Sequence, residues 1–194
     1  MTPEATIRTF LAVDIGPEVR ENLSRLQELL KRSQADVRWV RPESIHLTLR
    51  FLGEIPASDL EKLEPVLAAA VSGQAAVEIS VAGWGMFPSP KRPRVLWVGI
   101  PQGREKLAPM AEALERGLIQ AGFGPEDRPW KPHLTLGRFR SPRNLESLSK
   151  ALAKAGEQVY GRIQADRLTL FQSQLRPGGA VYTALRESQF GLKV

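Results

Sequence analysis

The sequence contains no cysteine, and this absence excludes several kinds of site at once. Disulfide bonds, thiolate metal sites and cysteine nucleophiles cannot occur in these 194 residues. Long apolar stretches are also missing, since no segment approaches the roughly 18 apolar residues that indicate a transmembrane helix. Residues 1–16 lack the basic flank and the apolar run of a signal peptide. The sequence therefore predicts a soluble, cytoplasmic protein.

Positive charge is what the chain has in excess. Lys and Arg number 27 against 21 Asp and Glu, which gives a net charge of +6 and a pI near 10. A basic surface favours polyanionic partners such as RNA, although many arginine-rich proteins simply carry a solvated basic surface. The length suits one domain, or two small lobes that share an interface.

Hydrophobic periodicity predicts eight strands and four helices. The strands are predicted over residues 7–14, 37–40, 45–52, 77–81, 95–100, 134–139, 162–171 and 180–186. The helices are predicted from Pro17, from Ser58, over 104–121 and over 141–155. Residues 83–93, rich in Gly, Pro and basic side chains, predict an exposed loop, and residues 177–179 predict a turn. Because strands and helices do not alternate strictly, this order favours an α+β fold with antiparallel or mixed sheets.

The two histidines of the chain open the same tetrapeptide, His-Leu-Thr-Leu, at residues 46–49 and 133–136. One such match would mean little, because a histidine in a strand is more often structural than catalytic. If Thr is about one residue in twenty, chance places it two positions after both histidines on the order of once in four hundred. An old duplication without function would not explain why polar His and Thr persist within apolar strands.

Strand geometry gives the repeated tetrapeptide a physical meaning. Residues i and i+2 of a strand point to the same face, so His46 projects together with Thr48 and His133 with Thr135. The intervening leucines point the other way, into a core. If the two strands face each other across a cleft, two imidazoles and two hydroxyls converge.

Such a group of four suits phosphoryl transfer. Imidazoles titrate near neutral pH, so one can act as a base while the other acts as an acid. In-line displacement needs that pair, because the attacking and leaving oxygens lie on opposite sides of the phosphorus. Threonine hydroxyls can donate to the oxygens where charge develops. Two His and two Thr are a poor set of metal ligands, so the sequence predicts no metal and no cofactor.

The sequence resembles the 2H phosphoesterase superfamily, which is defined by paired His-x-Thr-x motifs, and within it the RNA 2′,3′-cyclic phosphodiesterases, once named 2′-5′ RNA ligases. The resemblance runs nearly end to end. It rests on these segments: RTFLAV at 8–13, HLTLRFLGE at 46–54, Phe87-Pro88, RVLWVG at 94–99, KPHLTLGR at 131–138, LFQS at 170–173 and GAVY at 179–182. The departure is Gly137, where a small residue such as Ala is expected.

This resemblance implies a bilobal α+β fold with helices on the outside, two pseudo-symmetric lobes and a central cleft. Residues 1–194 would form a single domain in which each lobe contributes one motif, at 46–49 and 133–136. The implied reaction is hydrolysis of terminal RNA 2′,3′-cyclic phosphates to 2′-phosphates without a metal, with weak ATP-independent 2′-5′ ligation as the reverse chemistry.

The resemblance also implies roles for the four motif residues. His46 would be the proton donor to O3′, and His133 would be the proton acceptor that activates water. Thr48 and Thr135 would hold the phosphoryl oxygens. Because the two halves look alike, the opposite assignment of the two histidines stays open.

Three further residues are candidate substrate contacts. Arg138 points away from His133 if its strand is regular, and towards the phosphate if a bulge forms near Gly137, so a phosphate contact and a surface ion pair are both open. Phe10 and Trp130 could stack on a base, although an aromatic residue beside a strand more often belongs to the core.

Two other functions also fit the sequence. One is a phosphodiesterase of the same superfamily acting on ADP-ribose cyclic phosphate or on 2′-5′ oligonucleotides. The other is an RNA-binding module without turnover, although binding alone would not need two imidazoles. The expected partners are RNA ends or small nucleotides carrying a 2′,3′-cyclic phosphate, with no membrane partner, and the protein is expected to be a monomer.

Overall fold

The computed structural model describes residues 5–156, 158–177 and 179–191. This part of the chain contains four α-helices and nine strands, which confirms the α+β prediction. In chain order they are β1 (Thr6–Val13), α1 (Gly16–Lys31), β2 (Val37–Trp39), β3 (Leu47–Pro56), α2 (Leu60–Val71), β4 (Val77–Phe87), β5 (Val95–Gln102), α3 (Arg104–Gln120), β6 (His133–Phe139), α4 (Leu145–Ala155), β7 (Val159–Ala165), β8 (Arg167–Arg176) and β9 (Gly179–Gln189). Across these residues, no helix has both the length and the apolarity to cross a bilayer.

The strands form one sheet with a two-fold pattern. Eight of them follow the order β7-β4-β5-β6-β3-β1-β8-β9, and β2 pairs with β6. The recorded pairings are all antiparallel. The motif-bearing strands β3 and β6 are adjacent at the centre, and each is flanked outward by three strands. We call β3, β1, β8 and β9 the first half and β6, β5, β4 and β7 the second half. The predicted pair of pseudo-symmetric lobes is thereby confirmed.

The core lies between one face of this sheet and the four helices. The leucines of the two motifs belong to it, since Leu47 and Leu134 are both fully buried. Helix α1 presents Val19, Leu23 and Leu30 to the same core at helical spacing, and Pro17 occupies its first turn. Burial of these side chains holds the sheet against the helices and leaves the opposite face free for polar residues. We call that opposite face, which carries the motif histidines, the cleft face.

The predicted exposed loop over 83–93 is wrong in its first part. Strand β4 continues to Phe87, and Trp84–Phe87 pair with Val95–Val98 of β5. Shifts of register along β4 let the glycine-containing segment stay in the sheet. Gly85 is required there, because a Cβ at this position would overlap the indole ring of Trp97.

Three other boundaries also differ from the prediction. Strand β3 runs past Gly53 to Pro56, and α4 begins at Leu145, after Asn144 in the left-handed region with φ 57°. The single strand predicted over 162–171 is two strands that separate at Asp166. There the chain crosses from the second half, where β7 pairs with β4, to the first half, where β8 pairs with β1. The turn predicted at 177–179 includes Gly178, which lies outside the described residues.

Candidate active site

The two motifs are brought together by the pairing of β3 with β6. Leu47 is the register partner of Leu134 in this antiparallel pair. In this register His46 lies opposite Thr135, and Thr48 lies opposite His133. All four are half-buried and point to the cleft face. Diagonal neighbours in an antiparallel pair lie about 7–8 Å apart, and His46 and His133 are such neighbours. The electrostatic effect of His133 on the pKa of His46 agrees with this proximity.

Each motif contains a β-bulge at its fourth residue. Leu49 has no partner in the register of β1 with β3, and Leu136 has none in the register of β5 with β6. A bulge inserts one extra residue and reverses the alternation of side chains beyond it. The two halves therefore repeat a distortion of the backbone as well as a sequence.

The second bulge decides the direction of Arg138. Thr135 pairs with Trp97 and Arg138 with Val95, two residues apart on β5, so Arg138 shares the cleft face with Thr135. Its guanidinium contributes to lowering the pKa of His133, as expected for a nearby positive charge. In the first half the bulge places Phe51 in the equivalent position, with half of its surface exposed.

Arg50 points to the helix face instead and joins the two halves. Its guanidinium forms ion pairs with Glu115 of α3 at 2.7 Å and with Glu126 at 3.0 Å, and it donates to the carbonyl of Gly124. The residue is 9% exposed. Sequence reasoning missed this role, for which the one available signal was an arginine within an otherwise apolar strand.

Trp130 fixes the segment that leads into the second motif. Its indole N–H donates to the carbonyl oxygen of Thr48 at 3.0 Å, and its ring packs against the core. The hydrogen bond spans the two halves, because Thr48 is in β3 and Trp130 precedes β6. The structure therefore places Trp130 beside the motifs as an anchor between them.

Both histidines are held in the same tautomer. Nδ1 of His46 lies 2.9 Å from the carbonyl oxygen of Ser44, and Nδ1 of His133 lies 2.6 Å from that of Lys131. A carbonyl oxygen only accepts, so each Nδ1 carries a hydrogen and donates it. Nε2 of each ring is then the atom available for proton transfer.

His46 is enclosed by aromatic rings. Phe10 stacks on it with ring centroids 4.5 Å apart, and Tyr182 meets it edge-on at 5.2 Å. Burial lowers the pKa of His46 to about 4; the hydrogen bond to Ser44 opposes this effect and the neighbouring His133 adds to it. The ring of Phe10 also stacks against Phe171 at 5.3 Å. With two stacked neighbours and 2% exposure, Phe10 has no open face for a base.

His133 is less enclosed. Phe87 and Trp97 both meet it edge-on, with ring centroids at 5.1 Å and 6.3 Å. Burial also lowers the pKa of His133; its hydrogen bond to Lys131 opposes this, and the charge of Arg138 adds to it. Within residues 5–156, 158–177 and 179–191, no group of three or more His, Asp or Glu side chains is placed to hold a metal ion. The site thus offers imidazole, hydroxyl and guanidinium groups.

Comparison with known proteins finds relatives of one kind. A model of LigT-like phosphoesterases matches the chain twice, at residues 13–97 and 98–182, and each match contains one motif. An RNA 2′,3′-cyclic phosphodiesterase of Methanothermobacter thermautotrophicus is 36% identical over 177 residues, which cover 91% of this chain and 95% of the relative.

Solved structures show the same likeness. A protein of Thermus thermophilus superposes with a TM-score of 0.75 at 28% identity, covering 95% of this chain and 98% of the other. Escherichia coli LigT complexed with 3′-AMP superposes with a TM-score of 0.76 at 26% identity, covering 97% of this chain and 100% of the other.

Proposed function

This chain belongs to the LigT-like phosphoesterase family, and from that premise we propose that it hydrolyses RNA 2′,3′-cyclic phosphate termini to 2′-phosphomonoesters. The observation that carries the proposal is the placement of His46, Thr48, His133 and Thr135 on one face of two paired strands. Relatives named RNA 2′,3′-cyclic phosphodiesterase support the substrate class. Residues 1–194 would act as one domain, because the sheet is continuous across the two halves.

In the proposed reaction the two imidazoles act on opposite sides of the phosphorus. Nε2 of His133 accepts a proton from water, whose oxygen attacks the phosphorus as the bond to O3′ breaks. Nε2 of His46 donates its proton to O3′, which leaves as the hydroxyl, and the 2′-phosphate remains. The hydroxyls of Thr48 and Thr135 donate to the non-bridging oxygens. His133 then releases a proton to solvent and His46 regains one.

The low pKa of His46 couples its protonation to substrate binding. In the free protein at neutral pH this imidazole is uncharged, since its pKa is about 4. A general acid must carry the proton on Nε2. The negative charge of a bound cyclic phosphate favours the charged imidazole and raises its pKa, so His46 becomes an acid when the substrate is present.

Two neighbours of the motifs complete the proposed substrate site. Arg138 shares the cleft face with His133 and brings a positive charge to the phosphate. Phe51 is 50% exposed and its ring centroid lies 5.9 Å from that of Phe10. It offers an exposed ring, which the enclosed Phe10 does not, and stacking on a base is typically worth about 1–3 kcal/mol. If an RNA 5′-hydroxyl replaces water as the nucleophile, the same displacement of O3′ forms a 2′-5′ linkage.

One incubation tests the reaction. The protein is mixed with an oligoribonucleotide ending in a 2′,3′-cyclic phosphate in the presence of a chelator, and the product terminus is identified. We expect a 2′-phosphate; a 3′-phosphate, or no product, contradicts the proposal. Arg25→Ala on the outer surface of α1 is the control, and His46→Ala and His133→Ala should each lose about 10²–10⁴-fold in turnover with substrate affinity retained. Affinity without turnover in the unmutated protein would favour an RNA-binding module.

A substrate with a good leaving group tests the roles of the two histidines. If His46 is the acid, a leaving group that needs no proton should restore turnover to His46→Ala and leave His133→Ala inactive. The opposite pattern would reverse the assignment.

A further inference from the structure

Tyr182 lies beside the reaction centre with three arginines around it. Its ring meets His46 edge-on at 5.2 Å and Phe10 edge-on at 4.9 Å. Burial raises the pKa of the Tyr182 hydroxyl, and the charges of Arg138, Arg8 and Arg41 act in the opposite direction. The phenol therefore stands in a positive field at the first-half side of the motifs.

Three different elements bring these arginines to one place. Arg8 is two residues before Phe10 on β1 and shares its face. Arg41 precedes β3, and its guanidinium donates to the carbonyl of Ala180, two residues before Tyr182 on β9, at 2.9 Å. Arg138 lies on β6, where the bulge at Leu136 turns its side chain to the cleft face.

None of the three arginines forms an ion pair with a carboxylate of the described residues. Arg20 and Arg167, for comparison, form ion pairs with Asp14 and Glu187. Across residues 5–156, 158–177 and 179–191, no carboxylate lies within ion-pair distance of Arg8, Arg41 or Arg138. Glu54 is the register partner of Arg8, and even so the two side chains form no ion pair. Guanidiniums gathered beside a phenol donor form a site suited to an anion with several oxygens.

We propose that Arg8, Arg41 and Tyr182 form a second anion site, which binds the phosphodiester joining the terminal nucleotide of the substrate to the preceding one. The proposal rests on the proposed function, in which the cyclic phosphate lies between the two histidines with Arg138 beside it. The preceding phosphodiester is attached to O5′ of the same nucleotide, so a chain with its end in the site carries a second negative charge nearby. The natural substrate is then an RNA strand and not a cyclic mononucleotide.

A neutral linkage provides the test without any mutation. Two ribodinucleotides ending in a 2′,3′-cyclic phosphate are compared, one with a phosphodiester between the nucleosides and one with an uncharged methylphosphonate. Losing charge-assisted hydrogen bonds to arginine should lower kcat/KM roughly tenfold or more for the methylphosphonate. A cyclic mononucleotide with a 5′-phosphate, compared with its 5′-hydroxyl form, shows whether a terminal phosphate can take the place of the linkage.

Variants then locate the effect. Arg8→Ala and Arg41→Ala should each reduce kcat/KM for the phosphodiester by roughly tenfold and reduce that for the methylphosphonate much less, so that the preference shrinks. Arg8→Lys should restore part of it. Arg32→Ala, an exposed arginine at the end of α1, should retain the full preference. Turnover of both dinucleotides at equal rates overturns the second anion site alone, whereas no turnover of either overturns the proposed function as well.

Discussion

The depressed pKa of His46 can be measured directly, because the chain has two histidines and their imidazole resonances can be assigned with one variant. Burial lowers this pKa from 6.5 to about 4. At pH 6, about one His46 side chain in a hundred is then charged in the free protein, since each pH unit above the pKa is a factor of ten. We expect a two-dimensional nitrogen–proton titration, with His133→Gln used for assignment, to show His46 titrating near pH 4.

The same lowering of the pKa predicts how stability depends on pH. The unfolded chain protonates His46 near pH 6.5, whereas the folded protein resists protonation until about pH 4. Stability is therefore lost as pH falls between these values, and the full difference corresponds to about 3 kcal/mol. Urea unfolding of the unmutated protein and of His46→Gln, each at pH 7.5 and pH 4.5, isolates this contribution. The contributions of the other titrating groups occur in both proteins and cancel in the comparison. The difference in the free energy of unfolding between the two proteins should shift by about 2–3 kcal/mol in favour of the variant at the lower pH.

Inorganic phosphate should bind between the imidazoles and raise the pKa of His46 through its negative charge. Phosphate added to the titration therefore tests the coupling that the proposed mechanism needs. A free-protein pKa near 6.5 would refute the burial argument. A pKa near 4 that does not move with phosphate would refute the coupling to substrate.

Two further substitutions test how the site is built. Arg50→Met should cost about 2 kcal/mol in urea unfolding, below the roughly 3–5 kcal/mol of a fully buried pair because Glu115 is partly exposed; a loss below about 0.5 kcal/mol would contradict a structural role. Gly85→Ala should displace the ring of Trp97, cost about 1–3 kcal/mol and lower turnover, whereas Gly124→Ala, where a Cβ meets nothing within 4 Å, should do neither.

The motif residues could be placed from sequence because their signal is local and repeated. Strand alternation alone puts His46 with Thr48 and His133 with Thr135, and the duplication indicates that the two strands belong to one arrangement. The structure adds the register, with Leu47 opposite Leu134. That pairing joins residues that are far apart in the chain, so no local pattern specifies it.

Arg138 shows why other contacts could not be settled. Its direction depends on whether Leu136 is accommodated as a bulge in the pairing of β6 with β5, and that pairing joins residues far apart in the chain. The Arg-Phe pairs that follow both motifs look alike in sequence. The second pair lies one residue further from its motif than the first pair does. As a result, Arg50 faces the helices while Arg138 faces the cleft.

Phe10 and Trp130 illustrate a second limit. An aromatic side chain beside a strand has the same sequence signature whether its ring is open or covered. Stacking of Phe10 against His46 and Phe171 arises from three separate strands and loops meeting on the cleft face. The exposure of Phe51, beside them, likewise follows from a bulge and not from its neighbours in sequence.

The crossing of the chain at Asp166 bears on how such a protein could have arisen. The first family match, 13–97, supplies β4 to the second half, and the second match, 98–182, supplies β8 to the first half. Neither repeat alone can complete its own half of the sheet. A half-length ancestor would have needed to exchange strands with an identical copy, and fusion of the two genes would have made that exchange permanent. Fragments separated in the turn between β4 and β5 should accordingly recover turnover when mixed, and not singly.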